Sequence, residues 1–332
     1  MHPGPQTREP DTILAMNPVV LSFLSGDSLY FGAALLLLAT ISSSYLERRW
    51  ILICRNVVAL VALAMIVMAS PPFPSYVDAL FLGAFALWFI LWNSSARGKT
   101  LLRLRLVVTV TFALLLFVLP AIELTHRAMP DIVGTPSDHL VVIGDSISSG
   151  IDSRVPAWPV VMQQMTGIPV KNLPRAGAGI VEAQSMARGI MPEDRVVLLE
   201  IGGNDMLAGG PSGEFEKALD ALLKKVVAPG RTVVMFELPL FPDKVAYGQI
   251  QRRLATRYGV WLIPKRYFIA VIAGANATSD GLHLSDDGTR RMASLVTRTL
   301  SLVLQPPPKA ANSPKVPAVR CCSNKFTLCH FV

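Results

Sequence analysis

The hydrophobic pattern divides the chain in two. Before residue 125 the apolar residues come in long runs, Leu29–Leu46, Trp50–Ser70, Tyr76–Asn93 and Leu104–Leu124. Each is roughly 18–21 residues long, enough at about 1.5 Å per residue to cross about 30 Å of hydrocarbon. Polar residues do not recur in them at the period of a solvent-facing helix, so four transmembrane helices are predicted. Ile13–Ser25 is also apolar but short and interrupted by Pro18, and reads as an interfacial helix or an extension of the first span. Arg55 lies near enough to the start of its span to snorkel, and Asp78 and Glu123 sit near boundaries. None of them has the setting of a proton relay or ion path.

After the linker Ala128–Ser137, with its two prolines and one glycine, the pattern shortens and alternates. Strands are predicted at Leu140–Ile143, Val170–Leu173, Arg195–Ile201, Thr232–Leu238 and Val260–Ile263. Helices are predicted near Ala157–Met165 and Ile180–Arg188, and at Glu214–Val227, Val245–Tyr258 and Asp286–Leu304. Apolar strands alternating with helices predict an α/β domain with a parallel sheet covered on both faces. Pro306–Val332 has five prolines, four positive charges and no acid, and reads as a disordered tail. The expected organisation is a transmembrane domain over 1–127, a linker over 128–137, a globular domain over 138–305 and a tail over 306–332.

Composition agrees with this division. Only 16% of residues are charged, against about a quarter in ordinary soluble domains, and mean hydropathy is +0.45. The net charge of +8 is the more informative once it is partitioned. Residues 1–129 carry 9 Lys/Arg and 6 Asp/Glu, residues 130–305 carry 18 and 17, and residues 306–332 carry 4 and none. The globular part is nearly neutral and lacks the basic field of a nucleic-acid binder. Of the four cysteines, Cys54 lies in an apolar run and Cys321, Cys322 and Cys329 in the tail, so no disulfide framework is expected.

Loop charges set the expected orientation. Arg48 and Arg49 mark the first connection, and Arg97, Lys99, Arg103 and Arg105 the third, whereas the second, Pro71–Ser75, has no Lys or Arg. Connections one and three are therefore expected in the cytoplasm, with the N-terminus and everything after residue 125 outside it. No cleavable signal is evident. A multi-pass protein of the plasma membrane follows, which in a bacterial cell is the inner membrane with the globular domain in the periplasm.

Four short blocks in the globular part carry candidate chemistry. Gly144-Asp145-Ser146 follows the first strand, where a serine hydroxyl can be held at the sheet edge; on this tripeptide alone, an ordinary turn or N-cap stands ahead. Asn172–Gly179 follows the second strand, and its glycines let backbone N–H groups approach a ligand or simply open a helix. Leu199–Asp205 closes the third strand, where Asn204 can donate to an oxyanion or form an Asx turn. Ser279–Ser285 precedes the last helix, and in it Asp280 can accept from His283 Nδ1–H and leave Nε2 for a serine proton. His2, His126, His139 and His330 lack such a setting and read as incidental.

In this order and at these strand ends, the blocks resemble the SGNH branch of the GDSL hydrolase family, closest to its esterase/thioesterase/lysophospholipase members. The resemblance covers roughly 138–304. It implies a flavodoxin-like three-layer α/β/α domain, with Ser146 as nucleophile, His283 as base and Asp280 as its orienting acid. It implies an oxyanion hole from Ser146, Gly177 and Asn204, in which Gly179 could replace Gly177, and no metal or organic cofactor. Asp145 and Asp205 are expected to order their loops. Ile147 stands where the family pattern has Leu, and the membrane half lies outside the family core.

The leading expectation is a membrane-anchored serine esterase acting on an acyl ester of an envelope glycan, a lipid or a small molecule, with membrane lipid and no nucleic acid as partners. The alternatives are an O-acyltransferase or deacetylase acting on an envelope glycan, and a non-catalytic envelope-binding module.

Overall fold

The computed structural model describes residues 17–43, 49–96, 98–150, 155–274, 276–281 and 283–305. The predicted tail over 306–332 lies outside them, as do the end of the expected first span at 44–46, the cytoplasmic markers Arg48 and Arg97, and His2 and His330.

The N-terminal region begins with α1 (Pro18–Leu24) and α2 (Asp27–Ser42). Pro18 opens α1 and does not interrupt it: it sits in the first turn, where its missing N–H is not needed, and the Asn17 side chain accepts from Val19 N–H at 2.9 Å. The break falls at Gly26, whose φ of +79° turns the chain so that the two helices lie at 93°. α3 (Arg49–Met68), α4 (Ser75–Asn93) and α5 (Lys99–Leu124) are each long and apolar enough to cross a membrane. The expected first span is short by this measure, because α1 and α2 reach the needed length only as a bent pair.

Small residues bring α2 and α3 together. A Cβ on Gly32 would lie 2.8 Å from the Ala62 carbonyl oxygen, and Ala33, Ala39, Ala59 and Ala62 are buried in the same bundle core. Phe81, Phe85, Trp88 and Phe112 fill the space between α4 and α5, while Leu60, Val61, Ile90, Leu114 and Phe117 face outward. Arg55 departs from expectation. It does not snorkel but turns inward, 5% exposed, with its guanidinium 5.8 Å from the Trp88 ring and donating to Asn56 and Asn93. Lys99, Arg103 and Arg105 belong to α5, not to the loop before it, and Arg105 donates to the Leu91 and Ser94 carbonyls at the end of α4.

The second half contains, in order, β1 (Leu140–Gly144), α6 (Ser146–Ser149), α7 (Trp158–Thr166), β2 (Val170–Pro174), α8 (Ile180–Met186), β3 (Val196–Glu200), α9 (Gly203–Ala208) and α10 (Ser212–Val226). β4 (Thr232–Phe236), α11 (Val245–Tyr258), β5 (Trp261–Ile263), α12 (Lys265–Ile272) and α13 (Asp286–Thr299) complete it. The five strands are parallel in the order β2-β1-β3-β4-β5, the flavodoxin-like order, so the fold is the expected three-layer α/β/α arrangement. Alternate strand residues build two cores. Leu140, Val142, Leu198 and Val234 face α7, α12 and α13, whereas Val141, Ile143, Leu199 and Met235 face α8, α10 and α11. The short helices α6 and α9 and the buried helix α12 were not predicted. The last helix stops at Thr299, after which Ser137 N–H and Gln305 N–H bond the Val303 and Ser137 carbonyls, bringing the entry and exit of the domain together.

The two halves are joined by buried charge. Arg252 of α11 donates through both terminal nitrogens to Glu123 at the end of α5, at 2.7 and 2.8 Å, and through Nε to Glu237 at 2.6 Å. Burial opposes the charge of Arg252, but the two carboxylates outweigh it and raise its pKa. Glu237 also accepts from Lys265 N–H at 3.1 Å. Removing Arg252 leaves two buried carboxylates without the guanidinium that bonds both. Arg252→Ala is expected to cost about 3–5 kcal/mol, seen as a lower unfolding midpoint of the full chain in mild detergent; an unchanged midpoint would mean that the interface does not depend on the cluster.

Candidate active site

In a sheet of this order, β1 and β3 lie side by side while their following connections diverge, leaving a crevice at their C-terminal ends. Ser146 leaves β1 and Asn204 leaves β3 at that edge. The turn that carries Ser146 is tightly specified. Asp145 caps α6 by accepting from Ile147 N–H at 3.0 Å, and its own N–H donates to the Glu200 carbonyl. Gly144 admits no side chain, because a Cβ there would stand 2.3 Å from Ser148 Oγ. Ser148 Oγ donates to Glu200 at 2.8 Å and accepts from the Trp158 indole at 3.2 Å.

His283 arrives from the loop before α13. Thr278 and Leu284 pair across a tight turn closed by Ser279 N–H to the His283 carbonyl at 2.9 Å, with Gly281 at φ +88° at the bend. Gly288 lets α13 lie directly on this loop, since a Cβ would stand 1.9 Å from the Ala277 carbonyl oxygen. His283 Nε2 is 3.2 Å from Ser146 Oγ, its Nδ1 is 2.6 Å from Asp280 Oδ2, and its backbone N–H donates to Asp280 Oδ1 at 2.8 Å. One carboxylate thus holds both the ring and the backbone of the histidine. Residues 137 and 134 positions away from the serine in the chain are brought into one line.

The remaining predicted residues surround this line. Asn204 lies in the first turn of α9 and donates to the Ala178 carbonyl at 2.9 Å and to Asp145 at 3.2 Å, so both of its N–H groups are engaged. Gly177 has φ +72°. Its N–H and that of Ser146 make no hydrogen bond among the described residues. Gly179 differs: its N–H, at the start of α8, donates to Glu182 at 3.0 Å. Asp205 accepts from Ile180 N–H at 3.0 Å and so ties the second block to the third.

Beneath the site, Asp145 and Glu200 share a hydrogen bond between their carboxyl groups, both of them buried. Burial, and then the neighbouring Asp145 charge, push Glu200 well above the usual carboxylate range, and burial raises Asp145 as well. The proton therefore stays on Glu200. Neither this role nor that of Ser148 was read from the sequence, although one signal was available: Glu200 is the only charged residue in the otherwise apolar strand VVLLE.

An apolar cavity of about 200 Å³ opens beside Ser146 and Asn204, walled by Ile201, Met206, Leu238 and Phe268 among others. His139, expected to be incidental, bridges Asp138 at 2.7 Å and Asp194 at 2.9 Å at the other end of the sheet.

Residues 142–291 match the family model for the GDSL-like lipase/acylhydrolase family. Over residues 142–291 the chain is a GDSL-like hydrolase domain. Thioesterase 1/protease 1/lysophospholipase L1 of Escherichia coli (strain K12) is 26% identical over 176 residues, 49% of this chain and 84% of that protein. Esterase TesA of Pseudomonas aeruginosa is 25% identical over 181 residues, 50% of this chain and 89% of that protein. The crystal structure of TesA aligns at 24% identity and a TM-score of 0.44, over 50% of this chain and 99% of that one. By family the GDSL domain is an ester hydrolase.

The carboxyl pair makes the stability of the GDSL domain depend on pH. Glu200 keeps its proton in the fold but loses it on unfolding once pH exceeds the ordinary value of 4.5. Its contribution is therefore complete below that value and declines as pH rises toward the raised one. Glu200→Gln mimics the protonated acid without that loss. The midpoint of the variant relative to wild type is expected to climb as pH rises above 4.5 in thermal scans; a constant difference would show that Glu200 ionises normally.

Proposed function

We propose that this protein is a membrane-anchored serine esterase, and the observation that carries the reading is the Ser146–His283–Asp280 line at the sheet edge. His283 Nε2 takes the Ser146 proton as Oγ attacks the acyl carbonyl, and Asp280 fixes the Nδ1–H tautomer and stabilises the imidazolium. The N–H groups of Ser146 and Gly177 bond the oxyanion. Asn204 joins them by exchanging its longer bond, the one to Asp145, for the oxyanion. The imidazolium protonates the departing alcohol. Water, deprotonated by His283, then releases the carboxylic acid and restores Ser146. The substrate is an acyl ester of a glycan, a lipid or a small molecule.

Ser146→Ala in the full chain is expected to abolish hydrolysis of p-nitrophenyl acetate, and fluorophosphonate to label the wild-type chain at Ser146. Activity that survives the substitution would remove Ser146 from this role.

The three membrane-length helices and the bent pair hold the GDSL domain at a bilayer, and loop charges support its exit on the extracytoplasmic face, periplasmic in a bacterial inner membrane. Alkaline phosphatase fused after Gln305 is expected to be active in intact cells. Activity only of a cytoplasmic reporter at that point would reverse the orientation.

A further inference from the structure

The cavity beside Ser146 is not built by the GDSL domain alone. Leu24, the last residue of α1, lines it and is 9% exposed. It packs in the same buried cluster as Phe236, Phe268, Ile269 and Ile272, separate from the cluster that holds α2 to α5 together. A residue from before the membrane-length helices, and outside the matched stretch 142–291, is therefore part of the wall.

The two sides of Ser146 are unequal. On one side, Ser146, Pro156, His283 and Thr289 border a recess of about 10 Å³. On the other lies the apolar cavity of about 200 Å³, which contains Asn204 but not His283. The protonated histidine must face the departing alcohol oxygen, so the alcohol part of an ester occupies the small recess and the acyl part points into the cavity. Its polar lining groups are confined to Ser146, Asn204 and the engaged carboxyls of Asp145, Glu200 and Glu237. The rest of the lining is alkyl and aromatic. Exposed Leu207 and Phe241 border it, and the next residue, Pro242, lines a second cavity with Val67, Pro71 and Phe73 where α3 ends and α4 begins.

We propose that α1 completes an acyl-binding site: the cavity takes the unbranched alkyl chain of the ester, and Leu24 sets which chain lengths fit. This rests on the serine-esterase reading above. The chain enters beside the ends of the membrane-length helices, and the membrane region is then part of the enzyme's specificity as well as its anchor.

The test uses the full chain in detergent and the ratio of kcat/KM for p-nitrophenyl octanoate to that for the acetate. Leu24→Phe narrows the cavity and is expected to lower this ratio about 10-fold, the scale of one methylene misfit in an apolar pocket. Leu24→Ala is expected to move the optimum toward dodecanoate, and Leu38→Phe, on the exposed face of α2, to leave the ratio unchanged. Leu24→Phe keeps the core filled and carries the test alone if Leu24→Ala does not fold. Leu24 variants that change all esters by one common factor, while acetate hydrolysis still requires Ser146, would overturn the acyl-site assignment and leave the esterase reading standing. Acetate hydrolysis that survives Ser146→Ala would overturn both. Repeating the comparison with octanoyl glycerol in vesicles and octanoyl glucose in solution separates a lipid from a glycan source of the chain. The Leu24 effect follows whichever is the substrate, and its absence from both would also overturn the assignment.

Discussion

The hydrogen bond between the Asp145 and Glu200 carboxyls is the constraint on which the rest of the site depends. Two acids buried side by side resist ionising together, and burial with the neighbouring Asp145 charge keeps the proton on Glu200. That proton lets the end of β3 grip the turn after β1. Through Glu200 the grip reaches Ser148 and the Trp158 indole, and through Asp145 it reaches Ile147 N–H and the Asn204 amide. The serine turn is held by largely buried groups, while the histidine comes from a loop that meets it through Ser146 Oγ.

Charge also joins the halves of the molecule, but by a different device. Arg252 lies between Glu123 and Glu237, so an acid from the helical bundle and an acid from the end of β4 share one guanidinium. Arg127 pairs with Asp27 and covers the Tyr30 ring at 4.7 Å on the same side of the molecule. Such pairs fix geometry more than they add stability, since each charge gives up hydration to enter the interface. The effect of the Arg252 cluster is to hold the bundle and the sheet in one register.

The sheet was legible because its central strands are largely apolar, and a run such as LVVIG has few alternatives once glycines and helical patterns bracket it. The Ser146, Asn204, Asp280 and His283 positions were legible because each stands at a strand end or before a helix. What escaped the sequence was burial of polar groups. Arg55 reads as a snorkelling residue until Trp88 and Asn93 are seen beside it. α12 opens with Lys265 and Arg266, and its burial depends on Glu237 and on the carbonyl of Ala69, neither of which a local pattern contains. Gly177 and Gly179 became distinguishable only when the Gly179 N–H was found bonded to Glu182.

The placement of Leu24 bears on how the molecule is made. Its core partners Phe268, Ile269 and Ile272 lie about 240 residues further along the chain, so α1 leaves the ribosome long before the socket that receives it exists. Until α12 is made, Leu24 lacks the core partners it has in the finished fold. An early helix is thus among the last to find its place, and closing this core waits for α12 near the other end of the globular half.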